Sequence, residues 1–399
     1  MGISRAALAV AGTLTIALAG CGGSAVSGDG DGETGSGADG APVKIGFMVP
    51  KSGVYASIGG DLERAMQIYL EEHDNQLGGR EVELVTIDEG STPQVGTSAA
   101  RRLVQQEQVA AVTGIVNSAT AVGVANIFSD AQVPVISTAQ VTDNPYWWRV
   151  GWTNPMMNTS IVDYLVDEHP DESVYLIGAD YSQGHAIIES VRGGLEAGGV
   201  EIAGETFTPF GSTQDYQPYL SEIRNSGATS VYAFYAGAEA ARFVTQFAQF
   251  GLNENVTLYG NQALTEGNLA AQGAAATGVL TNSIYTPRID SAVNEAFVDA
   301  YVGEFDAQPS VYSEAQYASA VVLDMALAAI GDDAVTGEAI NTALAGLGEI
   351  ESPRGTWRFD EAQAPTQTIY LRRATEQDGV MYDEVIVELG VYTSEGERA

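Results

Sequence analysis

Residues 43–73 read VKIGFMVPKSGVYASIGGDLERAMQIYLEEH, and the fold turns on how the middle of that stretch is understood. Val43 to Val49 is a short, branched, apolar run of strand type. After Asp61, the residues Leu62, Met66, Tyr69, Leu70 and His73 fall at helical spacing. Between the two lies PKSGVYASIGGD, Pro50 to Asp61, which is small, rich in glycine and serine, and holds one tyrosine. Where a strand hands over to a helix in an open α/β sheet, such a segment lets backbone approach a bound molecule closely.

Working outward, the same alternation repeats. EVELVTID (81–88), VAAVTGIV (109–116) and VPVIST (133–138) are strand-like, and amphipathic segments around Arg64, Arg101 and Val124 separate them. Strand and helix at this interval imply parallel strands with crossover helices, a doubly wound parallel-sheet lobe. After Trp152 the pattern restarts with SVYLIGAD (173–180) and runs through VEIAGETF (200–207) and TSVYAFY (229–235) to NVTLYGN (255–261). One helix of this half, AARFVTQFAQFG, keeps Ala240, Phe243, Val244, Phe247 and Phe250 on a single apolar face. The fold class is therefore α/β, with two doubly wound lobes in succession.

Glu295 to Phe305, Ser313 to Ile330 and Thr336 to Leu347 read as further helices. QTIYLRRATEQDGVMYDEVIVEL (367–389) alternates like a hairpin with Asp378-Gly379 near its turn. Late helices followed by a late hairpin are too little for a third domain, so the chain is expected to recross near Ile284 and again near Gly355. That division assigns 43–154 with 285–354 to the first lobe and 155–284 with 355–391 to the second, and leaves 392–399 as a tail.

The chain of 399 residues is 45% hydrophobic, enough for two cores, and carries 52 acidic against 17 basic side chains for a formal charge of −35. Such a field repels phosphate backbones, so nucleic acid is not expected as a partner. Most of the carboxylates read as solvated surface. At the N-terminus, Arg5 precedes an apolar stretch from Ala6 to Gly20, which reads as a secretory signal over residues 1–20. It ends in Leu18-Ala19-Gly20-Cys21, which resembles the lipobox of bacterial lipoproteins, so Cys21, the one cysteine in the chain, is expected to carry the lipid. Residues 21–42 are glycine, serine and acid with almost nothing to bury, and read as a tether. An extracytoplasmic, membrane-anchored monomer follows as the expectation.

Ligands of open α/β sheets gather beyond the carboxyl ends of the strands, where free backbone N–H groups at helix N-termini favour an anion. In the first half those ends carry Ser52, Gly53 and Tyr55, then Asp88 and Glu89, then Asn117, Ser118 and Thr120, then Ser137, Thr138 and Ala139. In the second half they carry Asp180, Tyr181 and Gln183, then Phe210, Tyr235, Asn261, Thr265 and Glu266. Each has a plainer alternative: a tight turn for Ser52-Gly53, a helix cap for Asn117 or Ser118, core packing for Tyr235, a surface acid for Glu266. Trp147, Trp148 and Trp152 either pack the lobes or line a cleft. The aromatics favour a solute with an apolar or aromatic body, and the hydroxyls with helix N-termini favour a carboxylate.

PxSGxxAxxG at Pro50 to Gly59, GIVNSAT (114–120), VPVIS (133–137), DYSQG (180–184), AFYAGAEA (233–240), QFGLN (249–253) and the run from Phe297 to Ala320 together resemble the leucine/isoleucine/valine-binding family of periplasmic solute receptors. These are type I binding proteins that feed ABC importers, and the likeness covers Val43 to Val391. It implies two lobes joined by three hinge crossovers, closure around a small-molecule ligand, and an ABC permease as partner. It places the ligand carboxylate at Ser118, an ammonium partner at Glu266 and an aromatic wall at Tyr235. The sequence departs from the family pattern where Gln183 replaces a tyrosine, with Tyr181 two positions earlier, and where the threonine expected after VPVIS falls on Val141 or Thr142. The ligand-binding set expected is thus Ser52, Tyr55, Asn117, Ser118, Ser137, Thr138, Ala139, Tyr181, Gln183, Tyr235 and Glu266, for a branched-chain amino acid or an aromatic acid, with amides or urea behind.

An enzyme is not expected. The chain has three histidines, His73, His169 and His185, and neither a nucleophile-elbow GxSxG nor a zinc-binding HExxH pattern. No cofactor or metal is called for. A DNA-binding regulator on the same fold would need a basic helical head in place of the export signal, while a sensor without transport has the same sequence requirements as a transport receptor.

Overall fold

The computed structural model describes residues 41–52, 55–90, 92–139, 141–377 and 379–399. The signal segment 1–20, Cys21, nearly all of the tether 21–42, Gly53 and Asp378 lie outside them.

The first lobe is built on β1 (Val43–Val49), β2 (Gln76–Leu77), β3 (Arg80–Asp88), β4 (Ala111–Thr113), β5 (Val135–Ser137) and β6 (Trp147–Arg149), in the spatial order β2-β3-β1-β4-β5-β6. All neighbours are parallel except the short β2–β3 pair. β1 is almost wholly buried because a central parallel strand has helices on both faces, and its run of apolar residues lacks the alternation of a one-sided strand. Helices α1 (Ala56–Glu72), α2 (Pro93–Arg102) and α3 (Ser118–Asp130) make the crossovers.

The second lobe repeats this order. β7 (Ser173–Asp180), β8 (Glu201–Pro209), β9 (Ser230–Phe234), β10 (Thr257–Asn261) and β11 (Leu280–Ser283) run β8-β7-β9-β10-β11, all parallel. Helices α4 (Asn154–Glu168), α5 (Ser182–Gly198), α6 (Gln217–Ser226), α7 (Gly237–Gln249) and the short α8 (Leu269–Gln272) accompany them. Each lobe has its topological switch point beside its first strand, between β1 and β4 in one and between β7 and β9 in the other.

A glycine sets the approach of helix to strand at both switch points. A Cβ on Gly59, in the first turn of α1, would lie 1.9 Å from the Pro50 carbonyl oxygen. One on Gly184, at the start of α5, would lie 2.0 Å from that of Ala179. No side chain fits at either distance, so both helix N-termini are drawn tightly over the strand ends.

The chain then recrosses. α9 (Ala292–Phe305), α10 (Val311–Ile330) and α11 (Gly337–Ala345) follow the second crossover, and α10 packs along α1 with Ala318, Val322, Leu323, Ala326 and Leu327 in the first-lobe core. β12 (Ile350–Ser352) and β13 (Gly355–Phe359) form a small ribbon that leads into the hairpin β14 (Pro365–Gln377) and β15 (Val380–Tyr392). The return to the second lobe comes later than the Gly355 boundary read from sequence. Ile350 and Trp357 sit in the first-lobe core, and Phe359 meets Trp148 edge-on at 4.9 Å. β14 makes the passage within one strand, pairing through Pro365 and Thr366 with β13 and through Tyr370 to Arg373 with β11. The tail folds back as well, through a Tyr392–Arg398 bridge.

The three crossovers are tied together by buried side chains from this late segment. Arg354 donates from Nη1 to the Val150 carbonyl at 2.6 Å and to Glu314 at 3.2 Å, and Gln367 donates to the Gly151 carbonyl at 2.8 Å. Arg372 reaches the second crossover by donating to the Tyr285 carbonyl at 2.8 Å. Carbonyls in crossing loops have no strand partner, so long arginine and glutamine side chains satisfy them.

Candidate functional site

The carboxyl ends of both sets of parallel strands carry the residues singled out from sequence, and cross-lobe contacts show that the two rims meet. Glu266, after β10, accepts the backbone N–H of Val311 at the start of α10 at 3.0 Å. Trp152 in the first crossover stands edge-on to Tyr312 at 5.5 Å, and Tyr312 packs against the cores of both lobes. Tyr181 of the second lobe and Tyr55 of the first are near enough to influence each other electrostatically. Burial pushes the Tyr181 phenol up to about 12, with Tyr55 and Glu239 adding to the shift.

On the first rim, β1 ends in an exposed loop held from below by Asp88, which accepts the Lys51 N–H at 3.0 Å and the Ser52 hydroxyl at 2.9 Å. Ser52 is therefore already partnered, while Tyr55, at the head of α1, is 40% exposed. After β4 the chain turns into α3. Asn117 caps that helix, accepting from Ala119 N at 3.0 Å and Thr120 N at 3.4 Å, which is the plainer role open to it. Ser118 follows as the first residue of α3, and it is exposed. After β5, Ser137 is buried and closes its own turn, donating to the Ile115 carbonyl at 2.7 Å and accepting from Ala139 N at 2.9 Å. Ala139 is buried too, its carbonyl bound by the Trp147 indole at 3.0 Å, and Thr138 lies against Gly151 of the first crossover. Ser137 and Ala139 thus shape the rim from behind.

Trp147 and Trp148 do not line the cleft. Both belong to β6, are buried, and direct their indole N–H groups to Ala139 and, at 2.7 Å, to Asn341. Trp152, half-buried, is the tryptophan of the three that stands between the lobes.

On the second rim an aromatic ladder replaces the single tyrosine expected. Phe210, Tyr181 and Phe234 lie nearly parallel. Phe210 to Tyr181 is 4.4 Å between centroids at 20°, and Tyr181 to Phe234 is 6.4 Å at 18°. Phe210 is 57% exposed, so the outer end of the ladder presents an open face. Tyr235 is not part of it. It is 1% exposed, packs on Tyr216 and Phe243, and shares a hydrogen bond with Thr208 at 3.1 Å. Gln183 is exposed in the first turn of α5, and His185 stacks on Phe207 at 3.9 Å and bonds Asp180 at 2.7 Å.

Glu266 has partners that the sequence did not reveal. Besides Val311 N, its carboxylate faces Arg372 Nη1 at 3.4 Å. The same guanidinium meets Asp383 at 3.2 Å, and Asp383 accepts from Thr265 at 2.9 Å. Burial raises the Glu266 carboxyl, with Asp383 adding to the rise and Arg372 opposing it. Arg372 stands over 100 residues away in the chain, so no local pattern could have joined the two. Glu89, at the end of β3, has a role that its sequence position does not show. It is wholly buried and accepts Val116 N at 3.0 Å and Asn117 N at 3.2 Å.

Among the described residues no group of histidine, cysteine and acidic side chains could hold a metal ion, and no helix is long and apolar enough to cross a membrane. Hydroxyls, amide N–H groups and aromatic faces are what the rims offer. They can bind and enclose a small molecule, with the exposed Ser118 at the positive end of the α3 dipole available to an anion.

Comparison with known proteins agrees with this architecture. A family model described as periplasmic binding protein matches residues 42–379. The Leu/Ile/Val-binding protein homolog 6 of Brucella melitensis is 29% identical over 358 residues, covering 86% of this chain and 90% of the relative. An ABC transporter substrate-binding protein from Sphaerobacter thermophilus superposes with a TM-score of 0.81 at 30% identity, over 87% of this chain and 98% of its own. A solute binding protein of an ABC transporter from R. palustris, in complex with benzoate, gives 0.76 at 26% identity over 89% and 99%.

Proposed function

The chain belongs to the periplasmic binding protein family, and on that premise we propose that it is the extracytoplasmic solute receptor of an ABC importer. It captures a small carboxylate-bearing solute between its lobes and presents the closed form to a permease, held at the membrane through lipidated Cys21. Closure needs no reaction. The solute touches both rims only when they are together, and its preference for that state drives the change.

The observation that carries the choice of solute is the ladder of Phe210, Tyr181 and Phe234, open at Phe210. Parallel rings with an exposed end favour a planar ring as the next in the stack. The exposed Ser118 and the N-terminus of α3 provide for its carboxylate. Engagement of Glu266 by Arg372 and Val311 N lessens its hold on an ammonium group. We therefore favour an aromatic monocarboxylate, consistent with the benzoate held by the R. palustris protein. A branched-chain amino acid is the second reading. Arg372 is shared between two carboxylates, Glu266 and Asp383, which leaves negative charge that an ammonium group would meet, and the Brucella relative bears a Leu/Ile/Val-binding name.

Titration of the full chain with benzoate, 4-hydroxybenzoate and isoleucine by calorimetry, alongside thermal melts, distinguishes them. A benzoate at about a thousandfold over its Kd should stabilise the native state by about 4 kcal/mol and raise Tm accordingly. Isoleucine should leave Tm unmoved. A shift with isoleucine alone would establish the second reading, and no shift with any carboxylate would remove both.

A further inference from the structure

Glu89 is a carboxylate placed where an anion receptor should not want one. It stands at the carboxyl end of β3, wholly buried, and spends both oxygens on the N–H groups of Val116 and Asn117, the last two residues before α3. No basic side chain among the described residues comes within ion-pair distance of it. Its charge therefore leans on the same loop and helix N-terminus that the solute carboxylate is to use. Two anions sharing one set of peptide dipoles oppose each other, and the buried one is shielded from bulk solvent.

The neighbouring groups sharpen the conflict. Asp88, one residue earlier, adds a like charge. On the β1 side, Lys51 turns its ammonium to Glu63 at 2.8 Å. The first turns of α2, Pro93 to Gly96, and of α3, Ser118 to Ala121, hold no titratable side chain. Burial already pushes the Glu89 carboxyl up to about 7, with Asp88 adding to the shift and the two N–H groups opposing it. Thr120, in the first turn of α3, has a buried hydroxyl without a partner among the described residues. A Cβ on Gly96 would touch both its methyl and the Glu89 backbone carbonyl, so Thr120 packs beside the turn that carries Glu89.

We propose that Glu89 is the positioning residue of the solute-carboxylate loop and that capture of a carboxylate solute proceeds with uptake of one proton by Glu89. The inference rests on the reading of the solute as a carboxylate seated at α3. The proton comes from solvent, no bond to the solute forms or breaks, and the closed complex carries a neutral Glu89 beside the bound anion. Uptake of one proton fixes the sign. Affinity is flat below the titration of the free protein and falls as pH rises through it, because the complex keeps a proton that the free protein has lost.

The test is calorimetry of the full chain with benzoate from about pH 6 to about pH 9, in buffers of different ionisation enthalpy. The expected result is an affinity that falls by up to about tenfold per pH unit above about pH 7, with a buffer-dependent enthalpy reporting about one proton taken up. Glu89→Gln keeps one acceptor for the loop and should bind benzoate with neither the pH dependence nor the proton uptake. Benzamide, which has no charge, should bind wild type without proton uptake. An affinity that is flat with pH and an enthalpy independent of buffer would overturn the proposal in the wild-type protein alone, whether or not the variant folds, and so would a pH dependence that survives Glu89→Gln. If neither benzoate nor isoleucine binds at any pH, the carboxylate reading fails and the proposal goes with it. Binding without proton uptake leaves that reading intact and removes the proposal only.

Discussion

Phe210 and Tyr235 follow β8 and β9, the two strands that flank β7, and their side chains have opposite fates. Phe210 leaves β8 with more than half its surface open and stacks on Tyr181, whereas Tyr235 turns inward to Tyr216, Phe243 and Thr208. Removal of each should therefore register in a different measurement. Phe210→Ala should weaken benzoate binding by about tenfold, the order of one aromatic pair, with the urea midpoint unchanged. Tyr235→Ala should lower unfolding stability by about 3–5 kcal/mol through the cavity it leaves. Equal effects on affinity from the two variants would contradict the assignment. The sequence marks both as strand-end aromatics, yet side-chain direction at a strand end depends on the last pleat, which one residue of register reverses. The plainer reading of Asn117 and Ser118, a cap and a helix start, was legible because these need only local geometry. Glu266 was legible as a strand-end acid, but its meaning depends on Arg372 and Asp383 from the distant hairpin.

At the scale of elements, the crossovers are held by an ion pair with almost no access to water. Glu314 of α10 accepts from Arg354 at 3.2 Å and from Ser352 at 2.8 Å, while Arg354 also holds the Val150 carbonyl and lies 4.3 Å from the Trp357 ring centroid. Burial raises the Glu314 carboxyl and lowers Arg354, each opposed by the charge of its partner. Glu314→Ala leaves the guanidinium buried without a counter-charge and should lower stability in urea unfolding by about 3–5 kcal/mol. A loss below about 1 kcal/mol, the range of exposed pairs, would show that the pair is solvated in solution. The alternating strands and helices were readable because 3.6- and 2-residue periods leave direct marks in sequence, and so was the β14–β15 hairpin. β6, β12 and β13 were not. Three to five residues show no period, and Trp147, Trp148 and Trp357 look alike whether they pack a core or line a cleft.

At the scale of the whole molecule one plan is used twice, two runs of five parallel strands with the same strand order and a glycine beneath the first crossover helix of each, opposed so that their carboxyl ends meet. This duplication was legible from the restart of the pattern after Trp152, because each half must bury its own sheet. The meeting of the rims was legible only through the family resemblance and not from periodicity, since it depends on how three crossovers and the buried side chains of Arg354, Gln367 and Arg372 fix the lobes. The account stands on a carboxylate held between those rims, and a crystal structure of the full chain grown with benzoate tests it most directly. The benzoate ring is expected against Phe210 and its carboxylate at Ser118 and the N-terminus of α3. Benzoate bound away from both rims, or the carboxylate turned to Arg372 with α3 untouched, would contradict it.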